Sequence, residues 1–215
     1  MRPDGTQVAL WVAIFAGAYL VGSIPWSWLV VRWRTGRDVR EVGSGNVGAT
    51  NAMRAAGRRA GAVALALDVV KGVAPVLAVR ALGAPPLVES AVATLAVIGH
   101  MVPVWLRFRG GKGVATAAGA LGALAPLAMA LSLVVFVVVV AWKRYVSLAS
   151  LAAAGSFPLF VLLLRARDGD LRADAPFLVS SALVPLLIVW RHRGNLRRLR
   201  AGTERRLGER MEEGS

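Results

Sequence analysis

The sequence predicts an all-α integral membrane protein, a single polytopic domain over residues 1–215 with about seven transmembrane helices, two of them short. The composition is 56% hydrophobic and the mean hydropathy is +0.59, whereas soluble domains are roughly 45–50% apolar. The apolar residues are also gathered into long runs, since residues 8–31 and residues 114–142 contain no charge. About 20 apolar residues in a row are enough for a helix to cross the hydrocarbon core of a bilayer.

Seven apolar segments follow one another along the chain. The first is too long for a cleavable signal peptide, and the residues Trp33–Arg34–Thr35 that follow it offer no small-residue cleavage site. The fourth and fifth have two interpretations: residues 114–142 form one long helix, or the chain turns near Pro126 into two short spans or a re-entrant pair. The segments cover residues 8–31, 61–82, 86–106, 114–125, 127–142, 147–164 and 175–190.

The distribution of basic residues favours the turn near Pro126. With that turn and an external N-terminus, the cytoplasmic side receives 20 of the 26 lysines and arginines, in keeping with the positive-inside rule. Without the turn, the arginine-rich tail from Arg191 falls on the outer side. We therefore expect the N-terminus outside and the C-terminus in the cytoplasm. The same distribution accounts for the net charge of +14 without a nucleic-acid partner.

Two charged residues, Asp68 and Lys71, lie inside the second apolar segment. A charge within hydrocarbon is costly, so such residues usually face the protein interior and pair with one another. Their i, i+3 spacing places them on one face of a helix. They form either a structural ion pair or helix-end anchor, or one wall of an active site.

A polar, glycine-rich motif, GSGNVGATNAMR, lies between the first two apolar segments and indicates a phosphate pocket. Glycines let backbone amides approach an anion closely, and successive amides in a turn form a concave nest for phosphate. The spacing G-x-G-x-x-G also occurs in dinucleotide-binding folds, but those need a soluble βαβ unit. The glycines could alternatively serve only a tight loop. The residues with candidate binding groups are Gly43, Ser44, Gly45, Asn46, Gly48, Thr50, Asn51 and Arg54.

A second motif, HMVPVWLRFRGGKGVAT, precedes the fourth apolar segment. Gly110, Gly111 and Gly113 flank Lys112, and backbone amides at the start of a helix together with a lysine form an anion site. It is not a Walker loop, because glycine follows the lysine where such a loop has Ser or Thr. Thr116 ends the motif. His100 begins it, and a lone histidine at a span end is more often structural than catalytic.

A third polar cluster is split between the start of the sixth apolar segment and the chain after the seventh. Ser147 and Ser150 belong to the first part, and Ser150 by itself could be a neighbour of a helix cap. His192, Asn195 and Glu204 belong to the second part. The arginines of RHRGNLRRLR could contact anionic lipid headgroups, and we assign Arg197, Arg198 and Arg200 to that role.

Together, the three motifs resemble the bacterial membrane acyl-phosphate:glycerol-3-phosphate acyltransferase family, and the resemblance covers essentially the whole chain. It implies transfer of a fatty acyl group from acyl phosphate to the 1-hydroxyl of glycerol 3-phosphate. The products are lysophosphatidic acid and phosphate, in the first acylation of phospholipid synthesis. It also implies a bacterial inner-membrane protein whose active site faces the cytoplasm and whose partners are acyl phosphate, glycerol 3-phosphate and membrane lipid. The external loop at residues 165–175 is unmatched and receives no role.

The residues themselves agree with the resemblance. Two phosphorylated substrates explain two glycine-rich anion sites, and the sequence lacks the His-x-x-x-x-Asp general-base motif of other glycerolipid acyltransferases. An acyl phosphate is already activated, so the site needs chiefly to position it and neutralise charge. With no cysteine and only two histidines, we expect no cofactor, no thiolate metal site and no metal requirement.

We predict two sets of site residues. A catalytic set holds the two phosphates and the attacking hydroxyl, and a second set contacts the substrates. A phosphate transporter would place its site near the midplane of an internal repeat, and a purely structural subunit would not need three polar glycine motifs. The catalytic set is Ser44, Arg54, Lys112, His192 and Asn195; the substrate-binding set is Gly43, Gly45, Asn46, Gly48, Thr50, Asn51, Gly110, Gly111, Gly113, Thr116, Ser147, Ser150 and Glu204.

Overall fold

The computed structural model describes residues 5–168 and 175–209. This part of the chain contains nine α-helices and two short 3-10 helices, at Val39–Glu41 and Val104–Leu106, and no strand. The external loop at residues 165–175 lies partly outside the described residues. The helices are α1 (Gly5–Ser23), α2 (Trp26–Thr35), α3 (Ala49–Ala81), α4 (Pro86–Met101), α5 (Val114–Leu124), α6 (Pro126–Lys143), α7 (Val146–Asp168), α8 (Ala175–Arg191) and α9 (Arg193–Arg200).

The helix lengths confirm the predicted membrane fold class and refine the number of spans. Among the described residues, five helical segments are long and apolar enough to cross a bilayer, and α8 with α9, bent by 57°, counts as a sixth if the pair forms one span. The remaining apolar helix, α5, has 11 residues and rises only about 16 Å, roughly half the hydrocarbon core. The fourth segment is therefore short as predicted, whereas the fifth, α6, has 18 residues. Both segments are helical, and a helix break at Ala125 separates them.

Two further boundaries differ from those predicted, each for a backbone reason. The first apolar run is divided between α1 and α2 at Ile24–Pro25, since proline lacks an N–H and disfavours helix for the preceding residue. The second span begins 12 residues earlier than predicted, because Ala49–Ala56 is already helical. A kink at Gly57, whose φ of 87° suits glycine, joins this first part to the rest of α3.

Small residues let the central helices approach closely. A Cβ atom at Gly72 on α3 would collide with the carbonyl oxygen of Thr116 on α5, and one at Gly22 on α1 would collide with that of Ala96 on α4. Without a strong hydrophobic driving force between helices in lipid, such backbone contact and dense packing hold a membrane bundle together. These contacts fix α3 against α5 and α1 against α4, and the loops before α3 and α5 carry the first two polar motifs.

Candidate active site

The three polar motifs meet at one end of the helix bundle, around a cavity of about 1280 Å³. Its polar side is formed by the loops before α3 and α5 and by the first residues of α9. Its apolar side is formed by residues at the α1–α2 break and by aromatic residues after α4. The residues that line the cavity include Ile24, Trp28, Leu29, Asp38, Arg40, Ser44, Gly45, Asn46, Trp105, Phe108, Gly110, Lys112, Arg191, Asn195 and Arg198.

The loop before α3 is folded around the buried amide of Asn51. Its Nδ2 donates to the carbonyl oxygens of Val39 (2.8 Å) and Val42 (2.9 Å), and its Oδ1 accepts from the Ser44 N–H at 3.1 Å. Gly43 and Gly45 have φ values of 61° and 66°, a conformation that favours glycine. This arrangement holds Ser44 and Asn46 at the cavity wall, while the side-chain amide of Asn51 makes its hydrogen bonds within the loop.

The loop before α5 is held from two sides. On one side, Arg191 donates through Nη2 to the Gly110 carbonyl at 2.8 Å and through Nε to the Gly111 carbonyl at 3.0 Å. On the other, the Gly111 N–H donates to the His100 carbonyl at 3.1 Å. A Cβ at Gly111 would collide with His100 Nε2 and with the Val47 carbonyl oxygen. The backbone that carries Lys112 is thus fixed at the start of α5.

The C-terminal segment turns back and completes the site through Glu204. Ser147 Oγ donates to Glu204 Oε1 at 2.7 Å, and Asn195 Nδ2 donates to the same oxygen at 2.6 Å. Arg198 Nε donates to Glu204 Oε2 at 2.7 Å. These contacts join the start of α7 to α9. Burial alone would raise the pKa of the Glu204 carboxyl, but the hydrogen bonds from these three residues outweigh it and leave the pKa below its usual value.

His192 lies at the corner between α8 and α9 and has a defined proton arrangement. It is 1% exposed, and its Nδ1 lies 2.8 Å from the carbonyl oxygen of Ile188. A carbonyl only accepts, so Nδ1 carries the proton. In the neutral ring Nε2 is then an acceptor, and it has no hydrogen-bond partner among the described residues. Lys112 is close enough to His192 for their charges to interact.

The electrostatics of the site favour an anion. Burial lowers the pKa of the Lys112 ammonium from 10.5 to about 8. The positive charges of Arg198, Arg54 and Arg191 act in the same direction, and only Glu204 opposes them. Neither Lys112 nor the half-buried Arg54 makes a hydrogen bond or ion pair with any residue that the structure describes. Two partly buried cations therefore share one end of the molecule without a partner in the described part of the chain.

The structure brings most of the predicted site residues together, at different distances from the cavity. Ser44, Gly45, Asn46, Gly110, Lys112 and Asn195 line it. Ser147, His192 and Glu204 lie beside it through the contacts above. Arg54 projects from α3, one turn after Asn51, and its charge acts on Lys112. Gly43, Gly48, Gly111 and Gly113 shape the two loops.

Of the predicted substrate-binding residues, Gly45, Asn46 and Gly110 line the cavity, and four of the others have their side chains engaged or placed elsewhere. Ser150 donates to the Val146 carbonyl at 2.8 Å within α7, and it borders a separate apolar cleft instead. Thr116 is fully buried against α3, and its hydroxyl has no partner among the described residues. The side-chain amide of Asn51 is occupied by hydrogen bonds to the loop backbone. Thr50 lies in the first turn of α3 and not in a loop, because the helix already begins at Ala49.

The structure also shows site residues that the sequence analysis did not identify. Arg191 fixes the lysine loop, although in the sequence it is one of eight arginines after the last span and carries no distinguishing signal. Arg198, assigned above to lipid headgroups, instead pairs with Glu204 and lines the cavity. Arg40 is held by Asp38 in an ion pair of 2.6 Å at the cavity edge. Trp105 and Phe108 form part of the apolar wall of the cavity.

No metal centre is evident in the part of the chain that the structure describes, since no three His, Cys, Asp or Glu side chains cluster there. The independence from metal and cofactor inferred from the sequence stays a prediction. The cavity thus combines basic side chains and neutral hydrogen-bonding groups on one side with an apolar wall on the other.

Comparison with known proteins is consistent with this geometry. The family model described as glycerol-3-phosphate acyltransferase matches residues 12–202. The glycerol-3-phosphate acyltransferase of Rubrobacter xylanophilus is 47% identical over 192 residues, covering 89% of this chain and 92% of the relative. That of Myxococcus xanthus is 50% identical over 189 residues, covering 87% and 95%.

Two solved structures of PlsY (YgiH), an integral membrane glycerol 3-phosphate acyltransferase, share the fold. The glycerol 3-phosphate form has a TM-score of 0.83 and 40% identity, covering 92% of this chain and 96% of that one. The lysophosphatidic acid form has a TM-score of 0.81 and 38% identity, covering 92% and 95%. The chain described here therefore belongs to the glycerol-3-phosphate acyltransferase family of integral membrane enzymes.

Proposed function

We propose that this protein transfers a fatty acyl group from acyl phosphate to the 1-hydroxyl of glycerol 3-phosphate. The hydroxyl oxygen attacks the acyl carbonyl carbon and forms the ester bond of lysophosphatidic acid. The bond between that carbon and the phosphate oxygen breaks, and the phosphate leaves with the electron pair. The hydroxyl proton passes to the leaving phosphate, so the products are lysophosphatidic acid and inorganic phosphate.

The observation that carries the proposal is a pair of cations at the polar end of a cavity with an apolar wall. Lys112 lines the cavity, Arg54 is near enough for its charge to act on Lys112, and neither has a hydrogen-bond or ion-pair partner among the described residues. Both substrates bear a phosphate, and charge-assisted hydrogen bonds to phosphate are stronger than neutral ones. Lys112 lies just before the N-terminus of α5, and the unpaired amides at the start of a helix favour an anion. One of these two cations is then available for each of the two substrate phosphates.

The apolar wall suits the acyl chain of the donor. Ile24, Trp28 and Leu29 lie at the α1–α2 break, and Trp105 and Phe108 line the same cavity. Trp105 and Phe108 are 60% and 61% exposed, which is costly in water but favourable beside lipid. We assign this wall to the first carbons of the acyl chain, with the rest of the chain extending into the bilayer.

The proton path needs no dedicated general base. Acyl phosphate is an activated donor, and its departing phosphate is itself a proton acceptor. With Nδ1–H committed to the Ile188 carbonyl, His192 offers Nε2 as an acceptor that can orient the attacking hydroxyl. Asn195 is held by Glu204 at the cavity wall, where its amide can fix the geometry of the approaching substrate. Positioning and charge neutralisation then supply the main part of the catalysis.

We assign the protein to the bacterial inner membrane with the cavity on the cytoplasmic side, on the strength of the basic-residue distribution. Glycerol 3-phosphate is a cytoplasmic metabolite, so this orientation gives it direct access. The exposed arginines Arg197 and Arg200 on α9 would contact anionic lipid headgroups at that surface. Lipid is thus both the solvent of the acyl chain and a partner of the C-terminal helix.

The test is turnover by the purified protein in a defined detergent or lipid bilayer. Phosphate release from a long-chain acyl phosphate is measured with and without glycerol 3-phosphate, and lysophosphatidic acid is identified by mass spectrometry. We expect phosphate and lysophosphatidic acid in equal amounts, and no product from acyl-CoA alone. A rate of phosphate release that is the same with and without glycerol 3-phosphate, or turnover with acyl-CoA as the sole donor, would contradict the proposal.

A further inference from the structure

A cluster of three titratable side chains is buried within the bundle, outside the cavity. Asp68 and Lys71 on α3 form an ion pair with 2.9 Å between Nζ and Oδ1, and His100 Nδ1 on α4 lies 3.6 Å from the same oxygen. The three residues are 1%, 3% and 6% exposed. None of them lines the cavity. Ionisable groups at this depth are expensive, so their presence requires an explanation beyond filling space.

The cluster also reaches the break between α1 and α2. Lys71 Nζ donates at 2.7 Å to the Ile24 carbonyl, which lies in the break and also accepts from the Trp26 N–H at 3.1 Å. Ser27 Oγ donates to Asp68 Oδ2 at 3.3 Å. Four helices, α1 to α4, therefore meet at one polar centre. Ile24 itself lines the cavity, so the cluster lies directly behind the apolar wall.

The link from the cluster to the site passes through His100. Its carbonyl accepts from the Gly111 N–H, and its ring lies against Gly111 so closely that a side chain at that position would collide with Nε2. Gly111 immediately precedes Lys112. The lysine loop therefore rests on the imidazole, and the Asp68 carboxylate is the charged group beside the other edge of that ring.

We propose that Asp68, Lys71 and His100 are positioning residues that set the location of Lys112. Lys71 orients the Asp68 carboxylate, that carboxylate holds the His100 ring in place, and the ring supports the Gly110–Gly111 backbone from below while Arg191 holds it from above. The inference rests on the proposed function of Lys112 as a phosphate contact. It gives the membrane-buried charges a task in the reaction without any contact with substrate.

A double-mutant cycle separates positioning from general stability. His100→Gln, Lys112→Ala and the double variant are compared with the wild type in kcat/KM for glycerol 3-phosphate, since a misplaced binding group loses about ten- to a hundredfold. If His100 acts through Lys112, the double variant is no worse than Lys112→Ala alone. If His100 only stabilises the bundle, the two losses multiply, as they do for independent sites. Multiplying losses would overturn the proposal.

A second variant and a matched control complete the experiment. Asp68→Asn preserves shape, and we expect it to repeat the result of His100→Gln, with a loss of kcat/KM that vanishes in the Lys112→Ala background. Glu89→Gln breaks the ion pair between Arg80 and Glu89, which joins the same two helices, α3 and α4, at 2.6 Å near the other end. We expect its kcat/KM to stay within twofold of the wild type.

The unfolding temperature of each variant is measured in the same detergent. If His100→Gln and Asp68→Asn both fail to fold, the cluster serves stability and the proposal is overturned. If the wild type shows no acyl transfer at all, the proposed function fails. If the wild type turns over and the cycle is multiplicative, only the positioning inference fails.

Discussion

The depressed pKa of Lys112 predicts an alkaline limit to activity that belongs to this one residue. With a pKa of about 8, the free enzyme carries the ammonium in about 90% of molecules at pH 7 and about 10% at pH 9, so kcat/KM falls roughly tenfold. The phosphate of glycerol 3-phosphate is already a dianion in this range, since its second pKa is near 6. A bound phosphate favours the charged amine, so kcat falls at higher pH than kcat/KM.

Three variants test the origin of that limit. Lys112→Arg keeps a cation that does not titrate below pH 12, so its kcat/KM, although reduced by the different shape of the side chain, stays level up to pH 9. Glu204→Gln removes the one negative charge that raises the pKa of Lys112, which moves the limit to lower pH. Arg198→Gln removes a charge that lowers it and moves the limit the other way.

The assay follows initial rates of lysophosphatidic acid formation from pH 6.5 to 9.5, with the spontaneous hydrolysis of acyl phosphate subtracted at each pH. The groups whose charges act on Lys112 are Glu204, Arg198, Arg54 and Arg191, and none of the arginines changes charge in this range. A wild-type profile that is level to pH 9.5, or an alkaline limit that persists in Lys112→Arg, would refute the reasoning.

Three further predictions follow from the site and its placement. Arg54→Ala loses about 1.5–3 kcal/mol of binding to phosphate, or roughly 10- to 150-fold in kcat/KM, whereas Arg197→Ala, an exposed arginine on α9, stays within twofold; equal losses in both would remove Arg54 from the site. In the natural cysteine-free chain, Asn46→Cys is labelled by a membrane-impermeant maleimide only after cells are opened, and Leu82→Cys is labelled in intact cells; the reverse pattern would invert the topology. Acyl transfer is expected to survive EDTA, and activity restored by a divalent metal after chelation would disprove a metal-free mechanism.

The sequence is most informative where one physical effect dominates. Each of the seven apolar segments is found as helix. An apolar segment in a bilayer must satisfy its own backbone hydrogen bonds, and a helix does so whatever lies next to it. The break near Pro126 could be inferred from charge alone. The interruption at Ile24–Pro25 is not evident from the sequence, because a single proline hardly changes the hydropathy of residues 8–31. The structure shows that Lys71 binds the Ile24 carbonyl at this break.

The site was predictable by residue type and less so by role. Glycine, serine and asparagine beside a basic residue indicate an anion pocket wherever they occur. The sequence cannot show that Asn51 spends all its hydrogen bonds on its own loop, or that Ser150 turns to the Val146 carbonyl. Those outcomes depend on helix starts that shift by a few residues. Arg191 was indistinguishable from its neighbours because its partners, two carbonyls, carry no side-chain signature.

The corner between α8 and α9 has a consequence for the order in which the enzyme matures. A nascent chain that has inserted α1 to α7 already contains both glycine-rich loops, but it lacks the Arg191 guanidinium that fixes one of them and the Glu204 carboxylate that holds Asn195. Synthesis must therefore pass Glu204 before the pocket can close around substrate. We expect a nascent chain that has not yet reached Glu204 to insert its first seven helices without acquiring acyl-transfer activity.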